Sequence, residues 1–306
     1  MRVLVTGASG TIGSALARAL AARGDTVIGL SRNPARAAAR LPQLDWHRWD
    51  PPAAPPRQAL AGCEAVVNLV GERIDQRLTP AAKERIRTSR IDATNALVDA
   101  LVALPDGERP RALVSQSAVG YYGDRGDEEL TERSAPGDDF LARVCVDWER
   151  AAQRAEGADV RVCVLRTGLV LDRSSGLLGR LLPIFRLGLG GRVGSGRQWM
   201  PWIHLEDEVG LLLWALDHDV HGTVNATAPN PVRNGEFTRT LARTLRRPAL
   251  FPVPREALAL VFGSELAAVL VASQRALPAR ALQEGYRFRW PDLHGALGHL
   301  VGRSPR

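Results

Sequence analysis

Three glycines stand at Gly7, Gly10 and Gly13 in the run Gly7-Ala8-Ser9-Gly10-Thr11-Ile12-Gly13. Glycine at a turn permits backbone angles and close approaches that a Cβ would block. The run SALARALAARG follows at once and is rich in strong helix formers. The turn therefore ends on a helix N-terminus, whose free N–H groups and positive dipole end suit a phosphate. Before it, Arg2–Thr6 is a short apolar, β-branched run that reads as a buried strand. Strand, glycine turn and helix start, in that order, are the context in which such glycines bind a dinucleotide. The plainer alternative is a tight turn with no ligand.

A second position refines that chemistry. In a dinucleotide-binding unit, a carboxylate after the second strand bonds the adenosine ribose hydroxyl of NAD, whereas an arginine there accommodates the 2′-phosphate of NADP. The second strand, Thr26–Leu30, runs into Ser31 and Arg32, with Arg36 four residues on. Arg32 at this place argues for NADP(H). Further side chains able to carry charge or a proton are Glu72 and Arg73 after the fourth strand, Arg90, Ser117, Tyr121, Tyr122 and His204. Tyr121 and Tyr122 fall in the loop after the fifth strand, where a phenol could serve as a general acid. His204 reads as a structural residue at a strand end, and Trp148 and Glu149 as residues that pack and pair on their helix.

The elements that must hold these groups alternate along the chain. Strands are expected at Arg2–Thr6, Thr26–Leu30, Leu44–Trp49, Ala65–Leu69, Arg111–Gln116 and Val160–Leu165, with the proline-rich PPAAPPRQ stretch as a loop. One long helix is expected from Thr79-Pro80 to about Leu104, and another over Asp138–Glu156. This alternation predicts an α/β fold, a Rossmann-like doubly wound parallel sheet with a smaller C-terminal α/β lobe. The expected division is a nucleotide domain over 1–172, with segments around 199–228 returning to it, and a substrate-covering lobe with C-terminal helices over 173–306. Ligands of such sheets bind at the carboxyl ends of the strands, so the loops after Thr6, Leu30, Leu69, Gln116 and Leu165 converge on one cleft. Arg186–Gln198 is too rich in glycine for a helix and reads as a loop over that cleft.

Composition narrows the class. The chain has 306 residues, 45% of them hydrophobic, which is enough for one large α/β unit and a lobe. No apolar run has membrane-spanning length, and Met1 leads straight into a strand without a signal-like segment. Three cysteines without metal-ligand spacing suit a reducing cytoplasm, and the six histidines form no metal set. The net charge of +7 is almost all arginine, with Lys83 the one lysine. Without a nucleic-acid motif, that charge reads as solvated surface. The expected partner is a small molecule, with no nucleic acid and no membrane, and a homodimer is compatible with the sequence.

The stretches TGASGTIG (6–13), LSR (30–32), NLVGERI (68–74), SRIDAT (89–94), SAVGYYG (117–123), DWE (147–149), RTGLVL (166–171), GLGGRVGSGRQ (188–198), WIHLED (202–207) and NATAPNPV (225–232) resemble, in order, an atypical branch of the extended short-chain dehydrogenase/reductases. That branch is the nucleoside-diphosphate-sugar epimerase-like family with an uncharacterised C-terminal region. The resemblance implies NADP at Gly7, Gly10, Gly13 and Arg32. The full cofactor set expected is Gly7, Ser9, Gly10, Thr11, Ile12, Gly13, Arg32, Asp50, Leu69, Gly71, Glu72 and Gly168.

The resemblance also exposes a gap. Extended members usually carry a serine and then Tyr-x-x-x-Lys on the following helix, where lysine lowers the tyrosine pKa. Ser117 matches the serine, but the tyrosine and lysine positions hold Leu141 and Cys145, and Lys83 lies on another helix. Arg90 stands where the family often has asparagine. Met200 fills the slot of an arginine that grips a sugar nucleotide's diphosphate, and the bulky WMPW stretch (199–202) suits a flatter, less charged ligand. The expected catalytic set is Ser117, Tyr121 and Tyr122, with Arg90 as a charge that lowers a phenol pKa. The expected activity is that of an NADP-dependent oxidoreductase acting on a small carbonyl or alcohol. A catalytically silent NADP-binding sensor or assembly factor is the second reading, and a nucleotide-sugar epimerase the third.

Overall fold

A computed structural model describes residues 1–302 of the chain. Seven parallel strands make the central sheet: β1 (Arg2–Thr6), β2 (Thr26–Ser31), β3 (Asp45–Arg48), β4 (Ala65–Asn68), β5 (Ala112–Ala118), β6 (Arg161–Thr167) and β7 (Gly222–Ala226). Their order is β7-β6-β5-β4-β1-β2-β3. The order reverses at β1, which lies between β2 and β4, with Leu4 level with Val66 and Thr6 level with Asn68. β4 is buried along its whole length and β1 from Val3 onward. That is why these strands read as continuous apolar runs rather than alternating ones.

Helices cover both faces. On one face, α1 (Thr11–Ala22) brings Leu16 and Leu20 against Leu211 and Leu212, which lie on a later helix over Leu205–Asp217. On the other face, Leu97, Val98 and Leu101 pack with Ala152, Val162 and Val164. A third core, built from Leu178, Leu182, Phe185, Trp202, Phe237, Leu241 and Leu297, lies in the C-terminal half. Each core holds on the order of ten or more apolar side chains, each worth about 1.5–3 kcal/mol when fully buried. None of the helices among the described residues is long and apolar enough to cross a membrane.

The sequence reading and the structure part at several points. The helix expected from Thr79 to Leu104 is two: α2 (Pro80–Thr88) and α3 (Ile91–Val102). At the break, Ser89 Oγ donates back to the Ile86 carbonyl at 3.1 Å and accepts from Glu72 N at 2.9 Å. Serine competes with the helical backbone in this way, and the break turns Arg90 toward the end of β4. The expected strand over Leu44–Trp49 shortens to Asp45–Arg48, while β5 and β6 run on to Ala118 and Thr167. The end of PPAAPPRQ enters a short helix, Arg57–Leu60. Leu169–Leu171 and Trp202–His204 form a two-stranded parallel pair that the sequence reading did not separate from its surroundings. The glycine-rich segment 186–198 is irregular beyond Arg186, and it packs against residues 249–253, where a Cβ on Gly191 would meet the Phe251 carbonyl oxygen.

Candidate cofactor and active site

The glycine loop is built for close approach. Gly7 has φ +64°, and a Cβ there would lie 2.7 Å from the Leu69 carbonyl oxygen. A Cβ on Gly13 would lie 2.3 Å from the Gly7 carbonyl oxygen, so α1 could not sit so close to the loop with any other residue. Gly10 is the N-cap of α1, and no side chain caps that helix end. Ser9, Gly10 and Thr11 are exposed and Ile12 is half-buried. A helix N-terminus with open backbone donors and no acidic residue in its first turn is suited to an anion. The Thr11 hydroxyl donates to Ser175 Oγ at 2.9 Å, and Ser175 donates to Asp172 at 2.8 Å, which ties the loop to the segment after Leu171.

Arg32 follows β2 and is exposed. Its loop is fixed from both sides. Asn33 N donates to Ser31 Oγ at 3.1 Å, and Asn33 Oδ1 caps the helix Pro34–Ala38 through Arg36 N at 3.0 Å. Asp50 is exposed in the loop after β3. Leu69 and Gly71 lie just past β4, and the Gly7 contact sets Leu69 against the glycine loop. Gly168 has another reason to be glycine: a Cβ there would lie 2.1 Å from the Pro201 carbonyl oxygen. The groups that fit a dinucleotide phosphate are thus the Gly7–Gly13 loop, the α1 N-terminus and Arg32, and glycine at 7 and 13 is what lets the loop pack this closely on Leu69 and α1.

A buried polar network that the sequence reading missed fastens the strand ends beneath this loop. Thr6 Oγ1 donates to Asn68 Oδ1 at 2.8 Å and accepts from Leu69 N at 2.9 Å. Asn68 Nδ2 donates to Thr94 Oγ1 at 2.9 Å and to Ser115 Oγ at 3.3 Å, and Trp148 Nε1 donates to Thr94 Oγ1 at 3.0 Å. Buried polar groups satisfied in this way rigidify and specify a core. Short polar residues inside apolar strands were the available signal.

The expected catalytic residues divide. Ser117, at the end of β5, is 1% exposed, and its hydroxyl donates to Glu149 Oε1 at 2.7 Å. Glu149 lies on α4 (Phe140–Gln153) and is held bidentately by Arg166 of β6, at 2.8 Å for both contacts. So Glu149 pairs inward across the sheet, and not along its helix as expected. Arg166 also donates to the Tyr122 hydroxyl at 3.1 Å, and that hydroxyl donates to Asn225 Oδ1 at 2.7 Å. Tyr122 is 0% exposed, and burial pushes its pKa up to about 12. Both hydroxyls are therefore engaged inside the protein, a geometry that does not present Tyr122 to a ligand.

Tyr121 is half-buried, with the Arg166 guanidinium 3.3 Å from its ring centroid. The cation beside a candidate phenol is thus Arg166. Arg90 does not take that role: it stacks 5.2 Å from the Trp148 ring and lies beside Gly71. Leu141 and Cys145, at the family's tyrosine and lysine positions, are buried, and burial pushes the Cys145 thiol up to about 12. Glu72 is half-buried, with its N–H on Ser89, and Arg73 is exposed and pairs with Asp75 at 2.7 Å.

The WMPW stretch does not present a flat apolar wall. Met200 and Trp202 are buried in the C-terminal core, while Trp199 lies between the guanidinium groups of Arg233 and Arg275, at 4.6 and 4.9 Å. His204, Glu206 and His299 form a cluster with ligand-type atoms within 4.8 Å of one another. The hydrogen bonds explain it without a metal. His204 Nδ1 accepts from Glu206 N at 2.9 Å, so its proton is on Nε2, which is 3.0 Å from His299 Nδ1. The lone pair a metal would need on Nε2 is occupied, and His204 acts as the cap of the helix Leu205–Asp217.

Comparison with known proteins agrees with this architecture. Residues 3–227 match the NAD dependent epimerase/dehydratase family, and residues 253–300 match a domain of unknown function, DUF1731. Human epimerase family protein SDR39U1 is 40% identical over 306 residues, covering 98% of this chain and 100% of the human one. The chloroplastic homolog from Arabidopsis thaliana is 39% identical over 310 residues, covering 98% of this chain and 87% of its own. The crystal structure of human SDR39U1 (isoform 2) with NADPH superposes with a TM-score of 0.89 at 37% identity, covering 99% of this chain and 100% of that one. UDP-glucuronic acid 4-epimerase from Bacillus cereus, at 16% identity and a TM-score of 0.79 over 98% of both chains, shares the fold alone. With the family's sequence match spanning the whole central sheet and its glycine loop, the chain belongs to the NAD dependent epimerase/dehydratase family.

Proposed function

We propose that this chain binds NADP(H) and works as an oxidoreductase on a small carbonyl or alcohol. The observation that carries the reading is the uncapped α1 N-terminus behind Gly7 and Gly13, with exposed Arg32 at the end of the neighbouring strand. The NADPH reported with human SDR39U1 supports the same cofactor here. The glycine loop and α1 would hold the pyrophosphate, and Arg32 the 2′-phosphate. When bound, the nicotinamide supplies a hydride to a carbonyl carbon. This chain's own part is to position that carbonyl, exclude water and provide the proton. Tyr121 is the phenol left to provide it, because the Tyr122 hydroxyl is held by Asn225 and Arg166. The half-buried ring of Tyr121 is kept in place by Arg166, itself fixed by Glu149. The test is a carbonyl-compound screen that follows NADPH oxidation. On any hit, Tyr121→Phe is expected to lose roughly 10²–10⁴ in rate with NADPH affinity unchanged.

A second reading, a silent NADP(H)-binding sensor or assembly factor, has its own observation. Ser117 and Tyr122 are both committed to internal partners, and Leu141 and Cys145 carry no acid–base function in the family's manner. Tight NADPH binding with no turnover across the screen would favour it.

A further inference from the structure

The Arg90 guanidinium lies beside the β4 end of the cleft, and its own chain satisfies little of it. Within the described residues it makes one hydrogen bond, Nη1 to the Ile86 carbonyl at 3.3 Å. The carboxylate whose charge reaches it is Glu72, without an ion pair, and desolvation pulls its pKa below the ordinary arginine value. Around it lie the Trp148 ring, the buried thiol of Cys145 and Gly71. A guanidinium has five N–H donors in a planar fork, and a desolvated cation without a paired anion is costly. Here the fork is also held in orientation. It stacks on Trp148, and Trp148 is fixed by its bond to Thr94.

Glycine lets the loop after β4 approach the guanidinium closely. A Cβ on Gly71 would lie 3.2 Å from Arg90 Cζ and 3.3 Å from Nη2. Gly71 is not among the positive-φ glycines, so its backbone does not demand glycine. Gly71 packs against the guanidinium, and beyond the Nη1 bond to Ile86 its N–H donors have no protein partner among the described residues. Arginine forks of this kind recognise planar anions bidentately.

Resting on the oxidoreductase reading above, we propose that Arg90 is the docking cation for a carboxylate carried by the substrate. The substrate class is then a small carbonyl or alcohol that also bears a carboxylate, whose two oxygens would complete the fork beside Gly71. The phosphates of the cofactor are the competing anion, and the experiment separates the two.

Full-length protein is titrated calorimetrically with acetate, pyruvate, succinate and benzoate, each beside its neutral methyl ester, with and without saturating NADPH. NADPH affinity is read separately by nicotinamide fluorescence. At least one acid is expected to bind while its ester does not. Arg90→Gln should weaken that acid roughly 10–100-fold, the range for hydrogen bonds to a charged group, and leave the NADPH Kd within about threefold on the same scale. Arg90→Lys, which keeps the charge and loses the fork, should fall between them and guards against a folding defect in the glutamine variant. If wild type ignores NADPH but its acid binding still depends on Arg90, the docking role stands and the cofactor reading fails. The proposal is overturned if none of the four acids binds, if acid binding survives Arg90→Gln, or if that change weakens NADPH tenfold instead.

Discussion

Ser117 donates its hydroxyl to Glu149 at 2.7 Å, with both residues buried. Glu149 is in turn clasped by Arg166, and the pair is 6% and 5% exposed. Ser117 is thereby joined to a buried ion pair, whereas Tyr121, Glu72 and Arg90 are only partly buried.

Removing one partner of that pair should be severe. Arg166→Met leaves a buried carboxylate uncompensated, which costs about 3–5 kcal/mol. The double variant Glu149→Leu with Arg166→Met removes both charges and should recover most of the loss. Urea unfolding of wild type, both single variants (Arg166→Met and Glu149→Leu) and the double variant checks this. Additive losses in the double variant would mean the two residues do not act as a pair.

Glu208 predicts a pH dependence of stability. Burial pushes its pKa from 4.5 up to about 8; the Thr167 hydroxyl donates to Oε1 at 2.8 Å, while Oε2 has no partner. The folded protein therefore holds this proton more tightly than the unfolded chain. Its contribution is full below about 4.5 and is lost as pH rises toward 8, amounting to several kcal/mol by linkage at about 1.4 kcal/mol per pKa unit. Thermal melts should show wild type losing stability from pH 5 to 8.5 relative to Glu208→Gln. Parallel profiles would contradict the assignment.

Two glycine substitutions should behave differently. Gly10→Val has a negative φ and only one close contact, 3.2 Å to the Gly7 carbonyl oxygen. It should fold with stability near wild type and lose NADPH binding, because the branched side chain stands where a pyrophosphate approaches. Gly13→Ala drives a Cβ into backbone at 2.3 Å and should cost about 1–3 kcal/mol as an overpacked contact. Melting curves with and without NADPH separate the two effects.

The sheet and the glycine loop were legible because both are written in local pattern: apolar runs of strand length, and glycines at a strand-to-helix turn. The break at Ser89 was not, since a serine inside a helical pattern gives no sign of whether its hydroxyl will turn back to Ile86. Tyr121 and Tyr122 are adjacent and chemically identical in the sequence. Only the fold sends one to Asn225 and leaves the other under Arg166. Glu149 looked like a helix-surface charge, because its partner is 17 residues away, across a turn and a strand. The close approach of Gly71 to Arg90 likewise exists only once the loop after β4 and the α2–α3 break meet.

On the proposed function, the glycine loop at Gly7–Gly13 together with Arg32 selects NADP(H) over NAD(H). Calorimetric titration of the unmodified protein with NADPH and NADH tests it most directly, with Arg32→Glu as the paired variant. One charge-assisted contact to the 2′-phosphate is worth about 1.5–3 kcal/mol, so NADPH should bind roughly 10–100-fold tighter than NADH, and Arg32→Glu should abolish or reverse that preference. Equal affinities for the two nucleotides in the unmodified protein would contradict the account.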